Sequence, residues 1–347
     1  MGQNSHIEWC DHTFNPWEGC TKVSPGCAHC YAEARNKRWA GGANWGKGAP
    51  RRRTSEANWR QPLKWNRDQA KVIATCGGDM RAEEYRNPRV FCASLADWLD
   101  DEVPIEWLAD LLELIRSTPN LDWLLLTKRP ENFRARVGAF AEKVSASMEL
   151  QGWVYEWFHG FPPVNVWIGT TVEDQKRADE RIPLLLQIPA KVLFLSCEPL
   201  LGPVEFSDVT RRSDCISKLG KLALDGIDWV ICGGESGHGA RPMHPDWARS
   251  LRDQCQAAEV PFFFKQWGEW MPRSQLLLAC NEPAAIELVK HPKMKSAVMR
   301  RDGGIDESLG EAHTSNDADS AIYCAGKKAA GSLLDGVEHK AFPEALT

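Results

Sequence analysis

Short apolar runs alternate with amphipathic stretches along most of this chain, and that rhythm limits the fold more than any other feature. RVFCASLAD (89–97) begins apolar and ends in small and polar residues. The segment after it, PIEWLADLLELIRST, places Ile105, Leu108, Leu111, Leu112 and Ile115 at helical spacing. DWLLLT (122–127) opens into Lys128, Arg129 and Pro130, and NVWIGTT (165–171) precedes a charged amphipathic helix predicted over 173–187. KVLFLSC (191–197) ends in Glu198-Pro199, and DWVICG (228–233) ends in Gly234-Glu235-Ser236-Gly237. The helix after it is expected to start at His244-Pro245, because proline suits the first helical position. VPFFF (260–264) leads into Lys265-Gln266-Trp267-Gly268. Continuous apolar strands separated by helices predict a parallel sheet buried on both faces. With a first strand near 13–17 there are six or seven such units, fewer than the eight of a closed barrel. The expected fold is therefore α/β, a partial (β/α)6-type TIM barrel with a C-terminal extension.

In such folds the chemistry sits where strands give way to helices at the C-terminal rim. Polar residues gather at those junctions: Ser94 and Asp97, Thr127 and Lys128, Thr171, Glu198, Glu235 and Lys265. The barrel is expected to occupy 1–270 and the extension 271–347. Two stretches interrupt the rhythm, a basic, tryptophan-rich insertion at 35–67 and an aromatic one at 145–163 that would cover part of the rim. The acidic, glycine-rich 301–319 reads as a mobile loop.

The residues most suggestive of chemistry follow the first strand. HTFNPWEGCTKVSPGCAHCYAE holds Cys20, Cys27 and Cys30 at a C-x6-C-x2-C spacing. Pro25 and Gly26 force a turn that lets the loop curl and bring three thiolates together. Structural zinc takes four ligands, whereas a metal that does chemistry keeps one position open. An iron–sulfur cluster on three cysteines has a free iron. Spacing alone leaves a zinc site open, completed by Cys10, His12 or His29.

FNPWEGCTKVSPGCAHCYAE resembles a divergent radical S-adenosylmethionine (SAM) motif. More narrowly, it is similar to a phage-encoded family of unknown function, with which CEPLLGPV, CGGESG, FKQWGEW and the closing GKKAAGSLLDGVEHKAFP also agree, over 7–343. The usual radical SAM spacing is C-x3-C-x2-C, so the first gap here is three residues longer, and His29 replaces the usual aromatic residue. The resemblance implies a radical SAM barrel with a 4Fe-4S cluster on Cys20, Cys27 and Cys30, and SAM on the remaining iron. Electron transfer from the cluster would cleave SAM, and the resulting radical would remove hydrogen from a substrate. By position, Ser94 and Asp97 would receive the SAM amine, while Thr127, Lys128 and Thr171 line the same rim. Lys128 and Arg129 would meet the SAM carboxylate or a substrate phosphate. Glu198 would hold the ribose, and Gly233, Gly234 and Glu235 the adenosine or the substrate. Cys197 could return a hydrogen atom to a product radical, as in a DNA-repair member of that superfamily, and Lys265 is the other candidate catalytic residue. A flavodoxin or ferredoxin would supply electrons. The rival reading is a zinc-stabilised nucleic-acid-binding protein without catalysis.

Charge bears on the substrate. The net charge is −5, yet 35–67 carries ten Lys or Arg against Glu56 alone. Trp39, Trp45, Trp59 and Trp65 are interleaved with these cations, as suits a nucleic-acid backbone and stacked bases. Arg51, Arg52 and Arg53 are the candidate phosphate contacts, and Trp45 and Trp59 the candidate stacking platforms, for DNA or RNA. Phage DNA modification or base repair are the reactions this points to. The bland alternative is a surface segment anchored by its tryptophans. No signal peptide or run of ~20 apolar residues is present, so the expected location is the cytoplasm, that of a host if the chain is phage-encoded. In that reducing compartment Cys76, Cys92, Cys215, Cys232, Cys255, Cys280 and Cys324 are expected to be buried thiols.

Overall fold

Every apolar run becomes a strand. The computed structural model describes residues 3–75, 86–143, 147–207, 224–279, 295–306 and 319–344. Seven strands form one sheet: β1 (His12–Phe14), β2 (Arg89–Cys92), β3 (Asp122–Thr127), β4 (Val166–Thr171), β5 (Val192–Cys197), β6 (Trp229–Gly233) and β7 (Phe262–Gln266). Their order in the sheet is their order in the chain. A doubly wound sheet reverses at a switch point, and this one does not. Parallel strands in unbroken succession with helices between them form the topology of a partial (β/α) barrel. The register pairs Phe14 with Cys92, Cys92 with Leu125, and Thr127 with Thr170, so neighbouring strands end at similar heights.

Contacts divide the chain into two units. One comprises Met1–Thr170, Leu184–Phe194 and Glu344–Thr347, the other Thr171–Pro183 and Leu195–Pro343. In the first, helices α1 (Tyr31–Ala40) and α2 (Gln61–Thr75) lie between β1 and β2, and α3 (Ile105–Arg116) lies between β2 and β3. The predicted stripe on α3 is inward: Leu108, Leu111, Leu112 and Ile115 are fully buried. Helices α4 (Phe133–Lys143) and α5 (Met148–Phe158) occupy the β3–β4 connection. The aromatic stretch expected to cover the rim is thus largely α5. Its Trp157 is buried, stands 5.4 Å from Phe133, and donates from Nε1 to the Pro189 carbonyl at 2.6 Å.

The second unit holds α6 (Gln175–Leu185) for the most part and α7 (Pro245–Ala257), which His244 caps from its side chain, as the proline signal implied. A bulge between Cys232 and Gly233 shifts the β6–β7 register. An antiparallel sheet follows, from β8 (Trp270–Pro272), β9 (Ser296–Arg300), β10 (Ile305–Asp306) and β11 (Asp319–Cys324). The C-terminal segment then returns along β7, where Phe264 donates its amide to the His339 carbonyl at 2.8 Å. That pairing covers a strand edge. Cys92, Cys232 and Cys255 are buried and Cys324 is half-buried. Cys76, Cys215 and Cys280 lie outside the described residues, as do 307–318 of the expected mobile loop and 145–146 of the expected rim insertion.

At the entrance to β3, burial lifts the Asp122 carboxyl to about 6, although Asn87 donates to it at 3.2 Å and Arg89 and Arg86 favour its charge. An unfolded aspartate ionises near 3.9, so the folded state keeps a proton the unfolded chain has lost between those values. Stability therefore falls as pH rises through that window and stays lower above it. Asp122→Asn keeps the acceptor for Asn87 and should stabilise the protein by about 2 kcal/mol at pH 7. Denaturation at several pH values should find the gain absent below about pH 4. A gain of equal size at every pH would count against burial of the charge as its cause.

Candidate functional site

The cysteine loop leaves the C-terminal end of β1 and is held by its surroundings at almost every step. Asn15 is buried; its Oδ1 accepts the Leu95 amide at 2.7 Å and its Nδ2 donates to Ser94 Oγ at 3.0 Å. Gly19 has φ +114°, and a Cβ there would lie 2.3 Å from the Asn44 carbonyl oxygen, so only glycine lets the chain pass. The Gly46 amide donates to the Cys20 carbonyl at 2.9 Å. Pro25–Cys27 forms a 3-10 turn, and Cys30 stands at the N-cap of α1. Lys22 and Glu33 close the loop with an ion pair at 2.8 Å. The Tyr31 hydroxyl donates to the Ser94 carbonyl.

The three cysteines are half-buried, and Cys20 meets a cation that follows β3. Arg129 Nη1 donates to Cys20 Sγ at 3.5 Å, and Arg129 Nη2 donates to the Thr21 carbonyl at 2.7 Å. Burial pushes the Cys20 thiol up to about 11, with the Arg129 cation pulling the other way. Burial also raises Cys30, opposed by the amides of Glu33 and Ala32 and by the charge of Lys128. Those amides form no full capping bond to the sulfur. Burial disfavours the Arg129 cation, yet Asp97 and Cys20 outweigh it and hold its pKa above the usual value. Among the described residues, no three His, Cys, Asp or Glu side chains stand close enough together to hold a metal ion.

Asp97 anchors this arrangement. Its Oδ1 accepts from Thr127 Oγ1 at 2.7 Å and the Leu99 amide at 3.0 Å. Its Oδ2 accepts from the Lys128 amide at 2.9 Å and Arg129 Nη1 at 3.1 Å. The sequence placed Ser94, Asp97, Thr127 and Lys128 at one rim; in the structure Asp97 joins Thr127 to the Lys128 backbone, and Ser94 meets Asn15 and Tyr31. Asp97 and Thr127 are engaged with the chain itself, and Ser94 Oγ with Asn15.

Residues 4–343 match the family described as "Protein of unknown function (DUF5131)". The chain belongs to this family. A search of curated proteins found no match. Among solved structures, the DUF5131 chain is similar to a doubly substituted spore photoproduct lyase with bound AdoMet and dinucleoside spore photoproduct. Identity is 12% and the TM-score 0.37, with 73% of this chain and 65% of that one covered. The DUF5131 chain thus spans less than two thirds of that chain's length.

In the second unit of the DUF5131 chain, Lys265 Nζ lies 3.0 Å from Glu198 Oε1, an ion pair whose geometry falls short of a directed hydrogen bond. A Cβ on Gly233 would stand 2.6 Å from Glu198 Oε1, and one on Gly234 would stand 1.9 Å from the Trp267 carbonyl oxygen. The paired glycines therefore serve the close approach of two strand ends. Glu235 is buried and accepts from Arg241 Nε at 2.9 Å and Nη2 at 2.6 Å. Thr171 is buried, and its carbonyl accepts from Arg181 Nη1, which also pairs with Glu173 at 2.8 Å. Cys197 is fully buried, and burial holds its thiol far above the usual range.

The basic insertion is bound to the body of the protein. Arg51 is buried against Asp100 at 2.8 Å, and it also donates to the Gly46 and Ala49 carbonyls and to Thr21 Oγ1. Arg52 meets Glu18 at 2.5 Å and Arg53 meets Asp110 at 2.8 Å. Arg53 also lies 4.1 Å over Trp59, whose other neighbour is the edge of Phe14. Trp45 is half-buried, and Trp65 stacks on His12 at 4.4 Å. Trp39 is the exposed member of the four, with Arg38 5.3 Å from its ring. Reading by charge missed Asn15 as a loop support and the approach of Asn44 to Gly19; that glycine, directly before the first cysteine, was the available signal.

Proposed function

We propose that this chain is a radical SAM enzyme whose 4Fe-4S cluster is held by Cys20, Cys27 and Cys30. The observation that carries the proposal is the meeting of two strand ends: Arg129, after β3, donates to Cys20 in the loop after β1. The donor set fits an anionic cluster. Three thiols lie in one short loop, one at a helix N-terminus and one beside a guanidinium, groups that offset part of the cost burial puts on a thiolate. When bound, such a cluster supplies an electron for the cleavage of SAM, and hydrogen is then abstracted from the substrate. The chain's own part is to orient the loop through Asn15, Gly19 and Arg129, and to offer Ser94 and Lys128 as polar contacts for SAM or substrate. A flavodoxin or ferredoxin is the proposed electron donor.

Of the zinc reading's extra ligands, His29 stays in the cysteine loop, while Cys10 and His12 have partners elsewhere. Cys10 is buried at the start of β1 and its thiol faces Ser5 Oγ at 3.5 Å, while His12 accepts the Asn4 amide on Nδ1. Cys10 precedes β1 and His12 opens it, whereas Cys20 follows the strand's other end. A nucleic acid remains the proposed substrate class, now supported by the exposed Trp39 and Arg38 and not by the buried Arg51. No helix among the described residues is long and apolar enough to cross a membrane.

The test is reduction of anaerobically prepared protein in the presence of SAM, with products separated by chromatography. Release of 5′-deoxyadenosine is expected even without substrate. Intact SAM after prolonged reduction of an iron-loaded sample would sink the proposal.

A further inference from the structure

We propose that Arg129 is a positioning residue for Cys20 that tunes the cluster by donating a hydrogen bond to its sulfur. This inference rests on the function proposed above. The guanidinium is buried and fixed at three points: Cys20 Sγ at 3.5 Å, the Thr21 carbonyl at 2.7 Å and Asp97 Oδ2 at 3.1 Å. One nitrogen, Nη1, serves both the sulfur and the carboxylate, so the charge at Cys20 is set jointly by Arg129 and Asp97. The arginine backbone is held as well, since its amide donates to Thr127 Oγ1 at 2.9 Å. Thr127 Oγ1 in turn donates to Asp97 at 2.7 Å. A planar fork suits this bridging role, and a lysine would keep the charge while losing one of the simultaneous contacts.

Hydrogen bonds and positive charge at cluster sulfurs favour the reduced, more negative state, and outer-shell partners orient the ligands themselves. Arg129 therefore raises the reduction potential, and Asp97 moderates that rise by neutralising part of the charge. The two residues should act with opposite sign. A role confined to holding the fold would not separate them in this way.

The experiment uses the full chain, reconstituted anaerobically with iron and sulfide. Iron content is measured first, and the potential then comes from a dye-mediated titration followed by electron paramagnetic resonance. Arg129→Gln is expected to keep its iron and shift to a more negative potential, and Asp97→Asn to shift to a more positive one. Arg129→Lys, the variant to use if the glutamine form does not fold, should fall between wild type and the glutamine form. Iron-loaded Arg129→Gln or Arg129→Lys with the wild-type potential would overturn this inference alone. Wild-type protein that takes up no iron would overturn the functional reading and this inference with it.

Discussion

Replacing Cys20, Cys27 or Cys30 by alanine is expected to leave the protein colourless, whereas the parent chain purified without oxygen should be brown and hold about four irons. A three-cysteine cluster has no spare protein ligand, so each loss should take iron content close to zero. Cys10→Ala is the control. Cys10 is as much a cysteine as the others and only ten residues from Cys20, yet it is buried at the opposite end of β1. Its replacement should leave colour and iron unchanged. Iron and sulfide assays with visible absorption suffice for the comparison. One tightly held zinc in a colourless parent would instead restore the zinc-stabilised reading.

The second large effect concerns stability. Arg51 and Asp100 are both without exposed side-chain surface, and Arg51 also supports the Gly46 and Ala49 carbonyls. Arg51→Met removes the cation and strands a buried carboxylate, a change that typically costs about 3–5 kcal/mol. The melting temperature should drop on the order of 10 °C. Arg51→Met combined with Asp100→Leu should recover part of the loss, because the only carboxylate then left without Arg51 is that of Glu102, which is partly exposed. Arg52→Met, by contrast, breaks a pair whose arginine is more than half exposed and should change stability little. Equal losses for Arg51→Met and Arg52→Met would mean that burial is not what distinguishes the two neighbours. Since Arg51 Nη2 also donates to Thr21 Oγ1, the Arg51 variant should loosen the cysteine loop as well.

Much of the architecture could be read directly from the chain. Strands built from uninterrupted apolar residues, such as DWLLLT and KVLFLSC, leave little choice but a parallel sheet covered on both faces. The observed strands Asp122–Thr127 and Val192–Cys197 match those runs closely. The stripe on α3 and the proline at the start of α7 are equally local signals, and both were met. The cysteine spacing and the polar strand ends were legible too, because they are contiguous in sequence. That Arg129 would donate to Cys20 itself was not, since the two segments are about a hundred residues apart and meet only because β1, β2 and β3 lie side by side.

The basic segment marks the boundary most clearly. Its composition alone fits a nucleic-acid surface equally well as an anchored scaffold, because charge counts say nothing about which carboxylates fold back to meet the arginines. Asp100, Glu18 and Asp110 answer Arg51, Arg52 and Arg53 one by one. Gly233 and Gly234 likewise read as a ligand motif until the Glu198 carboxylate and the Trp267 carbonyl occupy the space their side chains would have filled. Hydrophobic periodicity is a property of neighbouring residues and so can be read along the chain. The partner of a buried charge, and the reason for a missing Cβ, belong to residues brought together only when distant strands pack.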